Sequence, residues 1–155
     1  MKKFLVAIDQ GTTSSRAILF DLQGNIKFTS QFEFNQYFPK NGWVEHNPDE
    51  IWSSTIKALK NAIRKASTLK GKILSIGITN QRETTILWNK KTGKAVYNAI
   101  VWQDRRTQEY CKKLKKKKYE IIFRKKTGLF IDPYFSATKI KWILDNVKIS
   151  KKLLK

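Results

Sequence analysis

The sequence predicts a mixed α/β fold in which a sheet that starts as an antiparallel three-stranded meander is flanked by helices. Two observations predict it: apolar runs of strand length fill the first 34 residues, and helical periodicity then alternates with short apolar runs. Of the 155 residues, 41% are hydrophobic and 12% are aromatic, which is too apolar for a disordered segment. One core is therefore expected.

Three strands are predicted at the amino terminus. Residues 4–8 and 17–20 are apolar runs interrupted by Gly11, which is the layout of a hairpin with an elaborate loop. A second turn is expected at residues 23–25. In residues 26–34 the apolar side chains share one parity, so the third strand should bury one face. These side chains are Ile26, Phe28, Phe32 and Phe34.

A long helix is predicted after this meander. Asn47 is a capping side chain, Pro48 suits the first helical position, and the acidic residues 49–50 complement the helix dipole. Apolar residues then recur at spacings of four and three, which predicts one buried stripe in a helix ended by Gly71. The stripe consists of Trp52, Ile56, Leu59, Ile63 and Ala66.

Further strands are expected in the middle of the chain. Residues 73–78 form an apolar run that is too short for a helix and predicts a buried strand. Residues 85–88 and 97–101 are also strand candidates. Residues 89–93 between them have the composition of a turn.

Three helices complete the prediction. Asp104 is expected to cap a helix that runs from Arg105 to about Lys118. A short helix at residues 121–126 should stop at Gly128, and another should cover residues 136–147 with Ile140, Ile143, Leu144 and Val147 on one face. Residues 150–155 are expected to be a frayed tail.

The net charge of +20 suggests nucleic acid or an anionic membrane as a partner, but its arrangement argues against both. Only six of the 32 basic residues are Arg, the side chain suited to bidentate phosphate and base recognition. The dense lysine cluster at residues 112–118 is more typical of a solvated helix end. A basic nucleic-acid binder is the alternative, and it would require one lysine-rich face and a steep salt dependence.

The chain is expected to be cytoplasmic. Asp9 follows the first apolar residues too soon for a signal peptide, and no apolar run approaches the roughly 18 residues of a membrane span. The single cysteine, Cys111, excludes an internal disulfide and is consistent with a reducing compartment.

The densest polar segment is residues 9–16, which lie between two apolar strands. Gly11 allows close backbone approach, residues 12–15 supply four hydroxyls with their amides, and Arg16 supplies a cation. Asp9 could hold a hydrated magnesium ion, so the segment has the groups that phosphoryl transfer requires. The alternative is a loop whose Ser and Thr side chains bond to their own backbone. The segment is neither a Walker A sequence nor a GxGxxG fingerprint.

A second polar segment, residues 80–85, also separates two apolar strands. The adjacent Arg82 and Glu83 offer donors and acceptors together, which suits a small ligand with vicinal hydroxyls. An internal ion pair at a strand end explains the same residues equally well.

Five segments together resemble the FGGY carbohydrate kinases, which have the actin-like, ribonuclease-H-like ATPase fold. The Asn-Gln-Arg-Glu-Thr string within the third segment narrows the resemblance to the members that phosphorylate glycerol. The resemblance covers nearly the whole chain, namely residues 6–16, 42–46, 77–85, 98–106 and 127–136.

The resemblance implies direct transfer of the γ-phosphoryl group of ATP to a terminal hydroxyl of glycerol, giving sn-glycerol 3-phosphate. It implies that ATP or ADP is contacted by Thr12, Thr13, Ser14 and Arg16, with Asp9 near Mg²⁺. It also implies that glycerol is bound by Arg82, Glu83 and Tyr134, with Trp102 packed on its carbon backbone. By residue type alone, Tyr134 and Trp102 would be core aromatics, and the single histidine, His46, would be structural.

The resemblance further implies that residues 1–155 are only part of the first domain of such a kinase. The second ATPase domain is expected to be absent and the family's aspartate base to lie beyond residue 155. We therefore expect the isolated chain to be inactive and poorly stable, with residues 142–144 short of cover. A catalytically inactive remnant that acts as a binding or interaction module is the alternative, and a homo-oligomer is left open.

Overall fold

The computed structural model of the protein describes residues 1–153, apart from the side chain of Lys151, and divides them into two compact units. Unit 1 comprises residues 1–35 and 47–81, and unit 2 comprises residues 36–46 and the chain from Arg82 onward. Within residues 1–153, none of the helices combines the length and the apolar character that crossing a membrane requires.

Seven strands and five helices make up the described fold. The strands are β1 (Lys2–Gln10), β2 (Ser14–Asp21), β3 (Ile26–Glu33), β4 (Gln36–Tyr37), β5 (Glu45–His46), β6 (Gly71–Thr79) and β7 (Ala99–Ile100). The helices are α1 (Pro48–Thr68), α2 (Gln108–Lys116), α3 (Tyr119–Thr127), α4 (Ser136–Asn146) and α5 (Lys148–Leu153).

Unit 1 contains the predicted antiparallel meander. Its four-stranded sheet has the order β3-β2-β1-β6, in which β1, β2 and β3 are antiparallel neighbours and β6 runs parallel to β1. The connection from β1 to β6 includes α1, as a parallel strand pair requires. The sheet is therefore mixed, as predicted.

The predicted buried face of β3 is only partly correct. Ser30 is the buried residue of the strand, Phe28 and Phe32 are half-buried, and Ile26 is 61% exposed. Ile26 lies at the first position of β3, where the register with β2 shifts between Leu19 and Phe20. Ile26 therefore lies at the irregularly paired start of β3.

The N-terminus of α1 is as predicted, but its buried face is not. The Asn47 side chain accepts a hydrogen bond of 2.9 Å from the Asp49 amide, and Pro48 begins the helix. The predicted stripe is correct only for Ala66, which is buried, and Leu59, which packs against the core, because Trp52 is 67% exposed and Ile63 is exposed as well. Small side chains let the helix approach the sheet closely. The buried residues are Ile51, Ser54, Thr55, Ala58, Ala62 and Ala66.

The prediction that Gly71 ends α1 is wrong, because Gly71 is the first residue of β6. The helix ends at Thr68, and Lys70 takes the left-handed conformation with φ of 53°. A Cβ atom at Gly71 would lie 2.2 Å from Cε2 of Phe4, whose ring is buried in the core of unit 1. Glycine is therefore required at this position by the close approach of the Phe4 ring.

The predicted burial of residues 73–78 is wrong. Helix α1 packs on the face of the sheet that carries Phe4, Val6, Ile8, Ala17 and Leu19. Strand β6 is the last strand in the order β3-β2-β1-β6, and its side chains Leu74, Ile76 and Ile78 are exposed, Ile78 by 75%. An apolar run predicts burial only if a second layer covers it.

Unit 2 contains a three-stranded antiparallel sheet with the order β4-β5-β7. The predicted strand at residues 85–88 is reduced to two isolated bridges, Thr85 with Ile100 and Trp88 with Ala95. The turn at residues 89–93 is confirmed, because the Asn89 side chain accepts a hydrogen bond of 2.8 Å from the Lys91 amide.

Two helical predictions in unit 2 are corrected. Helix α2 begins at Gln108 rather than Arg105, and Asp104 accepts hydrogen bonds from the amides of Val44 and Arg106 instead of capping the helix. Helix α5 occupies most of the predicted frayed tail, and residues 154–155 lie outside the described residues. Helix α3 is confirmed, with Gly128 left-handed at its end, as is α4.

The expectation that residues 142–144 lack cover is wrong. Ile143 is buried, and the Trp142 ring packs 5.2 Å from that of Trp43 and 5.6 Å from that of Tyr97. The other members of the predicted α4 face are more exposed, and Ile140 is 38% exposed. In unit 2, exposed apolar side chains lie instead on α3, where no residue is buried.

Candidate functional site

The polar segment of residues 9–16 forms a turn of three residues between β1 and β2. The Gly11 amide donates to the Ser14 carbonyl at 2.9 Å, and the strand pairing continues as far as Gln10 with Ser15. The expected elaborate loop is therefore wrong, because residues 14–16 already belong to β2. Thr13 is exposed at the tip, and its carbonyl accepts from the Phe34 amide.

The four hydroxyls of this segment divide into two pairs. Thr12 and Thr13 lie in the turn, whereas Ser14 and Ser15 are buried in β2. The Ser14 Oγ atom accepts from Nε2 of Gln31 at 2.9 Å. For this buried pair, the protein itself satisfies the hydroxyls.

Two hydroxyls on α1 form hydrogen bonds with the residues on either side of the turn. The Oγ atom of Ser15 accepts from Oγ of Ser54 at 2.9 Å and from Oγ1 of Thr55 at 3.0 Å. Gln10, which ends β1, donates from Nε2 to Oγ1 of Thr55 at 3.2 Å. Sequence reasoning missed Ser54 and Thr55, although two polar residues on the inner face of an amphipathic helix were a usable signal.

Asp9 and Arg16 are direct cross-strand partners next to the turn. Both are half-buried, and the buried Nε atom of Arg16 has no hydrogen-bond partner among the described residues. A buried guanidinium donor without a partner suits an anion that approaches the turn. Within residues 1–153 no cluster of three or more His, Cys, Asp or Glu could hold a metal ion. The single carboxylate of Asp9 still fits Mg²⁺, which proteins often bind through one carboxylate plus substrate phosphates.

Unit 2 brings together three of the residues to which the resemblance assigns a ligand role, namely Glu83, Trp102 and Tyr134. The ring centroids of Trp102 and Tyr134 lie 5.8 Å apart in an edge-to-face arrangement. The backbone carbonyls of Glu83 and Tyr134 both accept from Nζ of Lys139, at 3.0 Å in the case of Glu83. We call Glu83, Trp102, Tyr134 and Lys139 the aromatic–glutamate cluster.

The conformation of Glu83 is fixed by α4. Its φ of 64° lies in the left-handed region, which non-glycine residues rarely adopt. Its Oε2 atom accepts from both the amide and the hydroxyl of Ser136, at 2.8 Å each, at the start of α4. A carboxylate at this position complements the helix dipole, so α4 holds the strained residue in place.

Arg82 is exposed at the edge of this cluster. Among the described residues, Glu83 bonds to Ser136 rather than to Arg82. The alternative of an internal ion pair between the two neighbours is therefore not what the structure shows. The Arg82 guanidinium is instead accessible to a ligand.

Lys139 is the member of the cluster that sequence reasoning missed. Its side chain is fully buried, and burial lowers its pKa to about 8, although nearby carboxylates oppose that change. In a chain with a large excess of Lys, a lysine within a helix looks like surface. The usable signal was its position beside the apolar residues Ile140 and Ile143.

A buried ion-pair network lies elsewhere in unit 2. The Arg106 side chain has no exposed surface and donates from Nη2 to Glu45 at 2.7 Å and to Asp104 at 2.9 Å. Burial alone would raise the pKa of Glu45, but hydrogen bonds from Tyr97, Asn98 and Arg106 hold it below its usual range. Both carboxylates are paired with Arg106, whose buried Nη1 has no hydrogen-bond partner among the described residues and whose guanidinium lies against the rings of Trp43 and Trp142.

Comparison with known proteins relates this chain to one family. Residues 4–153 match the N-terminal domain of the FGGY family of carbohydrate kinases. Curated relatives include glycerol kinases from a Geobacillus species and from Petrotoga mobilis, each 57% identical over 148 residues. Each comparison covers 96% of this chain and 30% of the relative, so the chain spans 30% of the length of these relatives.

Solved structures agree with this relationship. The crystal structure of Plasmodium falciparum glycerol kinase with ADP matches with a TM-score of 0.89 and 38% identity, covering 97% of this chain and 30% of that chain. A gluconate kinase from Lactobacillus acidophilus matches with a TM-score of 0.86 and 21% identity, covering 100% of this chain and 30% of that chain, and shares the fold. The predicted fold class and the resemblance noted in the sequence are confirmed.

Proposed function

Because the chain belongs to the FGGY family of carbohydrate kinases, we propose that it is part of a glycerol kinase that phosphorylates glycerol with ATP. Residues 1–155 would belong to the first domain of that enzyme. The second ATPase domain and the aspartate that accepts the hydroxyl proton would come from sequence outside these residues. On this proposal the chain supplies binding and positioning groups.

The observation that carries the proposal is the aromatic–glutamate cluster. Glycerol has three hydroxyls on three carbons, so a site for it needs hydrogen-bonding groups beside an apolar surface. Glu83 and Arg82 would supply acceptors and donors, Tyr134 its hydroxyl, and Trp102 the apolar surface. The Trp102 and Tyr134 rings are in contact, and Tyr134 shares a lysine with Glu83.

The turn in unit 1 supplies the second part of the proposal. Thr12 and Thr13 would donate to the phosphates of ATP, Ser14 would support them from β2, and Arg16 would use its unpartnered Nε to pair with phosphate. Asp9 would hold Mg²⁺, which neutralises phosphate charge when bound. These residues would position the phosphates of ATP and neutralise their charge, and those two effects dominate catalysis of phosphoryl transfer.

Replacement of Arg82 by alanine is expected to weaken glycerol binding at least about tenfold, because a charge-assisted hydrogen bond to the ligand is lost. Binding of magnesium-ADP should be unchanged. Titration calorimetry of the chain with each ligand measures both effects. Arg64→Ala, which removes an exposed arginine from α1, is the matched control and should bind both ligands normally.

The calorimetry has two outcomes that contradict the proposal. Unchanged glycerol affinity in Arg82→Ala would remove that residue from the site. If the unmodified chain gives no heat of binding with glycerol and none with magnesium-ADP, the proposal that these residues bind them is contradicted. The same result would contradict the alternative of an inactive module that binds these ligands.

Replacement of Thr13 by valine should weaken magnesium-ADP binding several-fold, since one hydroxyl donor is lost while the shape of the side chain is kept. The exposed Thr13 side chain lies at the tip of the turn, so stability should hardly change. Thr29→Val, at an exposed site on β3, is the control. Equal nucleotide affinity in both variants would count against the turn as a phosphate site.

A further inference from the structure

We propose that Lys139 is a positioning residue of the polyol site, where it holds the backbones of Glu83 and Tyr134 in register with each other. This inference rests on the proposed function, because it concerns the same site. It assigns to a buried lysine a role that the sequence motifs do not indicate.

The hydrogen bonds of Lys139 carry the inference. Its Nζ atom donates to the carbonyl of Glu83 at 3.0 Å and to the carbonyl of Tyr134. These two residues are 51 positions apart in sequence, and one ammonium group joins their backbones. Both are residues to which we assign contacts with glycerol.

Because its ammonium group is buried, Lys139 is not a surface lysine that merely keeps the protein hydrated. The Lys139 side chain is 0% exposed, and a buried ammonium is costly unless hydrogen bonds and nearby charges compensate for lost water. Glu83, Asp104 and Asp132 provide the negative charge around it. A methionine would fill similar space without that cost. The function of the charge at this position is therefore to hydrogen-bond the two carbonyls.

The conformation of Glu83 explains why such a tether is needed. A non-glycine residue with φ of 64° stays in that region only when its surroundings hold it there. Ser136 holds its carboxylate and Lys139 holds its carbonyl, so side chain and backbone are fixed from one helical turn. Loss of the backbone tether would let Glu83 relax and would move its carboxylate relative to Tyr134.

The test compares Lys139→Met with Lys141→Met in the full 155-residue chain. Lys141 lies on the same helix but is exposed, and its ion pair with Asp145 is an i,i+4 surface pair. Glycerol affinity is measured by calorimetry and folding by circular dichroism. We expect glycerol affinity to fall at least about tenfold in Lys139→Met and to stay unchanged in Lys141→Met.

The outcomes separate this inference from the proposed function. If the unmodified chain fails to bind glycerol, the proposed function fails. If the unmodified chain and a folded Lys139→Met bind glycerol equally, only the positioning role is overturned. A parallel loss of magnesium-ADP binding in Lys139→Met would also overturn it, since general unfolding would then explain both losses.

A second measurement on the unmodified chain covers the case in which Lys139→Met does not fold. Carbon-detected NMR follows the carbonyl resonances of Glu83 and Tyr134 as the pH rises through the lysine pKa of about 8. The other titratable groups facing Lys139 are the carboxyl groups of Glu83, Asp104 and Asp132 and the thiol of Cys111, whose pKa is raised by burial. We expect both carbonyls to shift with one midpoint near 8, while glycerol affinity falls over the same range. Carbonyl shifts that are absent or independent of each other would overturn the proposal.

Discussion

Replacement of Arg106 by methionine is expected to lower the free energy of unfolding of unit 2 by about 3–5 kcal/mol. The guanidinium is fully buried, and it neutralises the carboxylates of Glu45 and Asp104, which are themselves buried. Methionine fills most of the volume but leaves two negative charges without their cation. The guanidinium also stacks 3.8 Å from the centroid of the Trp43 ring, so that contact is lost as well.

The neighbouring arginine provides a matched control. Arg105 is about half-exposed, and its ion pair among the described residues is with the partly exposed Asp132 at 3.3 Å, so Arg105→Met should change stability by at most about 1 kcal/mol. Denaturant unfolding monitored by tryptophan fluorescence measures both variants. Equal effects of the two substitutions would show that the buried network does not stabilise unit 2.

Replacement of Gly71 by alanine should destabilise unit 1 by about 2–3 kcal/mol. The added Cβ atom would lie 2.2 Å from Cε2 and 2.7 Å from Cδ2 of Phe4. Phe4 is buried in the cluster that α1 packs against, so its ring has little room to move. The strain would have to spread into β1 or displace the start of β6.

Gly77→Ala on the same strand is the control for this substitution. Nothing lies within 4 Å of a Cβ atom built at Gly77, and alanine is slightly better than glycine in a strand. The unfolding midpoint of Gly77→Ala should therefore equal or exceed that of the unmodified chain. If Gly71→Ala is as stable as Gly77→Ala, the Phe4 contact does not require glycine.

Features that depend on neighbouring residues were predictable from the sequence. The start of α1 at Pro48 follows from the Asn47 cap, and the end of α3 follows from a glycine that readily adopts the left-handed conformation. The turn at residues 89–93 is equally local. The sequence segments shared with the family were sufficient to identify it and its fold class.

Features that depend on distant residues were predicted less well. The buried face of α1 is set by small residues that fit against the sheet, and hydrophobicity pointed instead to Trp52 and Ile63. Strand β6 has the composition of a buried strand, but α1 covers only the other face of its sheet. Asp104 looked like a helix cap because its bond to the distant Val44 amide could not be inferred from spacing.

The candidate site shows the same division. Its motif residues were recognisable by type and order, whereas the contact between the Trp102 and Tyr134 rings is visible only in the structure. Lys139, which supports the cluster in unit 2, and Thr55, which supports the turn in unit 1, belong to no motif. Their importance depends on which carbonyl or hydroxyl lies opposite them.

The sequence by itself determined the first three strands, β6 and helices α1, α3 and α4, which family the chain belongs to, and which polar residues are candidates for ATP and glycerol. Only the tertiary structure decided which apolar faces are covered, which arginine is buried and which lysine joins two distant carbonyls. The physical reason is that capping, turn formation and periodicity act over a few residues. Burial and hydrogen-bond pairing depend instead on groups that meet only after the chain has folded.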